Sequence, residues 1–386
     1  MLKPTIISIA MATVMAAAAI SPALGLIAQH FSEADEIWIK LVLTAPSLTV
    51  IPFSFLSSYL TKKLPKKVIV LIGISIYIIA GVGAQFSPSI EVLLVLRFLL
   101  GAGVGLVMPL ALTLISDHYD GKERAKMFGY NTAFSNVGGI VTILLAGYLA
   151  SLSWNAAFNV YWLGLVIFVL VLFYLPTNEP IKVDKHKRRE KVPFYVYGYA
   201  LAACGVMLAY TAIGTNMALF LEQNNFGSSQ TAGLVLAFST VGGLMTSLYF
   251  VHLQFLFKDH LIAAGLLVMG LGFVIIIFSP IVWLILVGVC FVGFGQGILF
   301  PVINMKVLAE ASPTISDKVV SIVSSMIYVG QFISPILLDG IGKIMSMGTV
   351  RFQYGVLATA LIISVVSMYV YRFFFTRKNE SVSSSA

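Results

Sequence analysis

Long stretches without one charged side chain dominate this sequence; Val68 to Ala84 and Leu163 to Leu175 are two of them. A helix needs roughly 20 mainly apolar residues to cross a bilayer. In hydrocarbon only helices and closed barrels satisfy every backbone polar group. Barrel strands alternate apolar and polar residues, and these runs do not, so they read as membrane-crossing helices. Composition agrees: 59% of the residues are hydrophobic and 10% charged, against about 25% charged in soluble domains. A water-soluble enzyme, a disordered chain and a disulfide-built fold are excluded on that ground.

The apolar runs place twelve spans near 5–29, 37–60, 67–86, 91–116, 126–151, 154–176, 194–222, 230–253, 260–279, 281–307, 317–340 and 350–374. The expected organisation is an N-terminal six-helix bundle over 1–177, a basic linker over 178–193, a C-terminal six-helix bundle over 194–376 and a short tail over 377–386. With the N-terminus inside, 20 of the 24 Lys and Arg fall in inside segments and 3 outside, with Arg97 inside a span. Basic residues gather in cytoplasmic loops, so both termini are expected in the cytoplasm, with the chain in a bacterial inner membrane. The net charge of +8 then reports topology and not nucleic-acid binding. Trp38, Trp154 and Trp283 fall at outer helix ends, where indole suits the interface. The first span has no compelling cleavage site and is read as a retained helix. Cys204 and Cys290 both sit inside apolar runs and form neither a disulfide framework nor a metal motif.

One offset recurs. Phe86-Ser87-Pro88 returns 192 residues later as Phe278-Ser279-Pro280. At the same offset Gly101, Gly103, Gly105 and Pro109 match Gly293, Gly295, Gly297 and Pro301, and Val137-Gly138 matches Val329-Gly330. Span 4 therefore overlies span 10, and span 5 overlies span 11. The expected fold is an all-α membrane protein with two pseudo-symmetric six-helix bundles, the repeat plan of a large transporter class that binds substrate between its halves. Glycines four apart let helices approach closely in lipid. Because the repeat puts them at the boundary between halves, they are expected to slide there during a conformational cycle.

The motifs resemble those of the major facilitator superfamily over nearly the whole chain, and within it the twelve-helix drug:proton antiporter branch. Ser58 to Lys67 is similar to the family's loop signature after span 2, with Leu60, Lys63, Lys66 and Lys67 at matching places and Lys62 at the acidic one. Arg97 and Gly101 match the family's Arg-x-x-x-Gly in span 4, and Ser153 to Phe158 is similar to the family's Ser-Trp motif after span 5. The resemblance implies the two-bundle transporter fold, a role for Arg97 in coupling protons to substrate, and a cytoplasmic latch in which Lys66, beside Lys63, pairs with Asp117.

The residues offer further candidates. An intramembrane cation faces protein or a wet cavity; Arg97 shares a helix face with Gly101 and Gly105 and is expected as the one cation of the substrate cavity, where it would draw an organic anion, or else to pair structurally. A proton-coupling carboxylate would be Asp339 in the outer part of span 11 or Glu222 near the outer end of span 7. A substrate cavity is expected from Asn131 and Ser135 in span 5, Tyr210 and Met217 in span 7, Gln296, Phe300 and Asn304 in span 10, and Tyr328 and Gln331 in span 11. No catalytic residue, phosphate-binding loop, metal cluster or cofactor motif is found, so ATP is not the expected energy source. The expected function is proton-coupled export of a small amphipathic compound by a monomeric, bilayer-embedded transporter. Two alternatives stay open: proton-coupled uptake of a small organic anion, and a sensor or scaffold that keeps the fold without transport.

Overall fold

The computed structural model describes residues 2–177, 192–310 and 315–383; the linker expected at 178–193 lies outside them apart from its last two residues. Twelve stretches are long and apolar enough to cross a membrane. The first is two helices, α1 (Leu2–Ala18) and α2 (Leu24–His30). The others are α3 (Glu36–Leu60), α4 (Lys66–Gly83), α5 (Ile90–His118), α6 (Gly121–Leu152), α7 (Leu163–Tyr174), α8 (Phe194–Gln223), α9 (Ser229–Phe257), α10 (Leu261–Phe278), α11 (Val282–Glu310), α12 (Ser316–Ile344) and α13 (Val350–Ser383). Ser89 shows why one of them starts where it does: its side chain accepts the Val92 amide and caps α5, satisfying a donor that has no partner inside the helix.

The expected single first helix is corrected. Pro22 has no amide hydrogen for the Ala18 carbonyl and its ring opposes a continuous helix. The chain turns through a 3-10 segment, Ser21–Ala23, between α1 and α2. The break was hidden because the apolar run continues through it.

The glycine pattern dictates the packing. A Cβ on Gly105 would lie 2.7 Å from the Val50 carbonyl of α3, one on Gly103 would lie 2.6 Å from the Gly73 carbonyl of α4, and Gly101 abuts the Pro46 carbonyl. In the second half, Gly295 meets the Gly265 carbonyl of α10 at 2.6 Å, while Gly293 and Gly297 abut Ser239 and Gly243 of α9. The same three glycines, the outer two on one face and the middle one on the opposite face, thus clamp the central helix of each half to two neighbours. These contacts are internal to each half, which corrects the expectation that they slide at the boundary: spacing marks a close approach but does not name the helix approached.

Within the first half α1, α3 and α4 pack on α5; within the second, α9 and α10 pack on α11, and α8 packs on α12. Two broad contacts join the halves, α6 with α9 and α12 with α3. The repeat carries α6 onto α12 and α3 onto α9, so these two contacts are copies related by the pseudo-dyad. Trp38 and Trp283 stand exposed, 48% and 72%, at helix starts on the face opposite the N-terminus, here called the far face.

Candidate functional site

A cavity of about 270 Å³ lies between the halves. The first half supplies Val14 and Ala18 from α1, Ser21 from the turn that Pro22 imposes, Leu43 from α3, and Asn136, Gly139 and Ile143 from α6. The second supplies Met207, Tyr210, Thr211 and Gly214 from α8, Ser239 and Thr240 from α9, Gln296 from α11 and Gln331 from α12. The helix break is part of its construction: Ser21 donates to the Gly214 carbonyl at 2.8 Å across the halves. A Cβ on Gly214 would sit 2.9 Å from that hydroxyl. The wall is apolar with scattered hydroxyls and amides, and none of the described residues lining it is charged. Tyr210 and Ser239 approach through their oxygens at 3.4 Å, and the buried Thr211 hydroxyl has no hydrogen-bond partner.

Of the expected cavity residues, Tyr210, Gln296 and Gln331 are brought together on this wall. The rest are placed elsewhere. Met217 is fully buried in the core. Asn131 and Ser135 are absent from the wall, where their helix presents Asn136; the buried side-chain Oδ1 of Asn131 has no partner. Asn304 donates to the Phe300 carbonyl on its own helix at 3.0 Å, and neither lines the cavity. Tyr328 donates to the Met108 sulfur at 2.8 Å, a bond between halves. Ser21, Asn136, Thr211, Ser239 and Thr240 were missed, although Pro22 could have signalled the first of them.

Arg97 does not project into the cavity, which corrects the simplest reading of an intramembrane cation. It is fully buried inside the first half. Its Nε donates to the Val42 carbonyl at 2.7 Å, and its two terminal nitrogens donate to the Tyr161 hydroxyl at 2.5 Å and the Ala16 carbonyl at 3.1 Å. The acceptors have a sequence cause. Val42 would bond the amide of residue 46, which is proline and has none. Ala16 lies in the last turn of α1, where carbonyls lack helical partners. Tyr161 also donates to Ala16 at 2.9 Å, so one guanidinium and one phenol tie α1, α3 and α5 to the 3-10 turn Ala156–Trp162 before α7.

The two candidate carboxylates both have partners in the other half. Asp339 accepts from Lys40 at 2.6 Å, and Glu222 accepts from the Gln29 amide. Gln230 of α9 donates to Ser151 of α6 at 2.9 Å. All three contacts lie toward the far face, which the halves close together. Lys40, one of the three basic residues that the sequence count places outside, is fully buried there; Glu36, one turn earlier, was its signal. At the N-terminal face Lys66 pairs with Asp117 at 2.5 Å, joining α4 to α5 inside the first half. Lys63 lies over the Tyr59 ring at 4.9 Å, and its bond to Tyr59 raises its ammonium above the ordinary lysine range. Among the described residues no cluster of three or more His, Cys, Asp or Glu could hold a metal ion.

The cavity, its place between repeats and the glycine-clamped halves agree with three likenesses to known proteins. The quinolone resistance protein NorA of Staphylococcus aureus (strain MRSA252) is 22% identical over 339 residues, covering 84% of this chain and 86% of that protein. The 4-hydroxybenzoate transporter PcaK of Acinetobacter baylyi is 28% identical over 131 residues, 32% of this chain and 28% of that protein. The crystal structure of the POT family transporter PepTSo superposes with a TM-score of 0.74 at 13% identity, over 97% of this chain and 98% of that one, a likeness of fold alone. The Major Facilitator Superfamily profile matches residues 6–248 and 199–386. The chain is a membrane transporter and belongs to the Major Facilitator Superfamily.

Proposed function

We propose that this transporter exports a small amphipathic compound in exchange for protons. Residues 1–177 and 194–376 would act as the two moving bodies, joined by 178–193, in a monomer whose two termini face the cytoplasm of a bacterial cell. The observation that carries the reading is the cavity itself. It is built by both halves in mid-membrane, where rocking would expose it to each side in turn. Its apolar wall with a few neutral polar groups suits an amphipathic ligand, and its 270 Å³ lies near the lower edge of the roughly 300–1,000 Å³ common for ligand pockets. If the N-terminus is cytoplasmic, the clamped far face is the outside. The similarity to NorA, a protein named for quinolone resistance, supports export.

The partial similarity to PcaK, a transporter named for an organic anion, keeps uptake as the second reading. The cavity wall argues against it, since Arg97 is engaged elsewhere and none of the described wall residues is cationic. Flux in proteoliposomes under an imposed pH gradient decides. Export predicts substrate moving against the proton flow. Movement with the protons assigns uptake, and no gradient-dependent movement across a panel of amphipathic cations, neutral compounds and aromatic acids removes both.

A further inference from the structure

The clamp at the far face has more carboxylates than it needs. Lys40 Nζ lies 2.9 Å from Glu36 Oε1, one turn earlier on α3, and 2.6 Å from Asp339 Oδ1 on α12. That same Oδ1 accepts from Gln353 Nε2 of α13 at 2.8 Å. Lys40 is 0% exposed and Gln353 2%. One buried ammonium therefore faces two carboxylates, an arrangement that leaves one negative charge over. Asp35 and Lys343 line the adjoining cavity of about 310 Å³, as do Glu36, Asp339 and Gln353. Arg351 of α13 turns away, over the Phe220 ring. Glu222 of α8 is held by Gln29.

Two atoms of this cluster are left over: Asp339 Oδ2 and Gln353 Oε1 are both buried and both without a hydrogen-bond partner. Each is an acceptor only, so they cannot satisfy one another while Asp339 is ionised. A carboxyl and a primary amide are planar and of matching width. With Nε2 already on Oδ1, the ring requires only that Oε1 come to lie beside Oδ2. A proton on Oδ2 would then be donated to Oε1, closing a two-bond acid–amide ring and satisfying both atoms.

The partners sort by half. Ionised, Asp339 bonds Lys40 across the boundary. Protonated, it has a full partner in Gln353 of its own half, and Lys40 keeps Glu36 of its own helix, a favourable spacing for an ion pair. We propose that Asp339 is a proton-binding site that gates the far face: protonation moves it from Lys40 to Gln353 and releases α3 from α12. The proton enters through the 310 Å³ cavity and binds Oδ2, while Lys40 keeps its own proton. It comes and goes on one face, so this site gates the cycle and is separate from the protons exchanged for substrate. The inference rests on the alternating-access reading above.

The sign follows from the two states. The clamped form holds Asp339 ionised and the open form holds it protonated, so acid favours opening. The full chain in lipid nanodiscs tests this without a substrate. Spin labels at Ser32→Cys and Gln223→Cys, on a background with Cys204→Ala and Cys290→Ala, report the distance between halves at the far face. Acidification should lengthen it. D339N should show the long distance at every pH and lose the carboxylic C=O band that the parent gains on acidification in infrared difference spectra. Gln353→Leu takes one hydrogen bond from the clamped form, that of Nε2 to Oδ1, and both bonds of the ring from the acid form, while the Lys40 pair stays, so it should move the transition to lower pH. A parental pH curve in both variants, or retention of that band in D339N, overturns the proposal. If D339N does not fold, an unmoved transition in Gln353→Leu does so alone. Absence of proton-driven flux would remove the exchange reading and leave these spectroscopic results standing, so the two fail separately.

Discussion

At the scale of single residues, proline sets where the buried polar groups go. Pro46 leaves the Val42 carbonyl without its helical donor, and the Arg97 Nε fills it. A guanidinium fully buried among neutral acceptors is held by hydrogen bonds and by its place 5.7 Å from the centre of the Tyr161 ring, and removing one acceptor strands its partners. Tyr161→Phe deletes the hydroxyl that contacts both Arg97 and the Ala16 carbonyl. It should destabilise the chain by about 1–3 kcal/mol, the usual cost of leaving a buried polar group unsatisfied, read as a lower melting temperature in detergent. Arg97→Lys should be at least as harmful, since a single ammonium cannot reach three acceptors in a planar fork. An unchanged melting temperature in both would show that this network has no structural weight. That Arg97 lies at membrane depth was legible from its place inside an apolar run; that it is packed inside one half and does not face the cavity was not. Its partners were not, because they depend on how three helices are rotated. The same limit explains Asn136. It follows Ser135 by one residue, which is about 100° around a helix of 3.6 residues per turn, and the cavity faces it instead.

At the scale of elements, small residues decide which helices touch. Gly103 and Gly295 admit backbone of α4 and α10 so closely that any Cβ would meet a carbonyl at 2.6 Å. Gly103→Ala and Gly295→Ala should each cost about 1–3 kcal/mol, the range for overpacking a tight interior, and should lower the yield of monodisperse protein. Gly198→Ala and Gly205→Ala place a Cβ where nothing lies within 4 Å, so they should stay within about 0.5 kcal/mol, as surface changes do. Equal losses from all four would refute this account of the packing. The spans and the repeat could be read from sequence because hydrophobic length and glycine spacing are local properties. The Pro22 break escaped because it interrupts the backbone without interrupting the apolar run. The assignment of the glycines to the half-to-half boundary failed because partner choice is a property of the assembled bundle.

At the scale of the whole molecule, the pseudo-dyad gives two equivalent contacts between halves, α6 on α9 and α12 on α3, and two of the three far-face bonds, Gln230 to Ser151 and Lys40 to Asp339, sit along them. Gly147 and Gly233 cross there with almost nothing between them: a Cβ on Gly147 would lie 3.1 Å from the Gly233 Cα, and one on Gly233 would lie 3.2 Å from the Gly147 Cα. A larger side chain at this crossing differs in kind from one at Gly103. Inside a half, the strain has no exit except local unfolding. Between halves, it is relieved by parting two bodies that each keep their own core. Gly147→Val should therefore leave the melting temperature and elution volume close to parental while moving the population toward the form open at the far face. A cysteine at Tyr210, on the cavity wall, should then react faster with a membrane-impermeant thiol reagent added from that side, on the cysteine-free background. The substitution should also slow transport, since a cycle that cannot clamp one end cannot complete. A melting temperature lowered as far as that of Gly103→Ala would mean that this crossing belongs to a rigid core. Unchanged reactivity at Tyr210→Cys would mean that the halves do not part along α6 and α9.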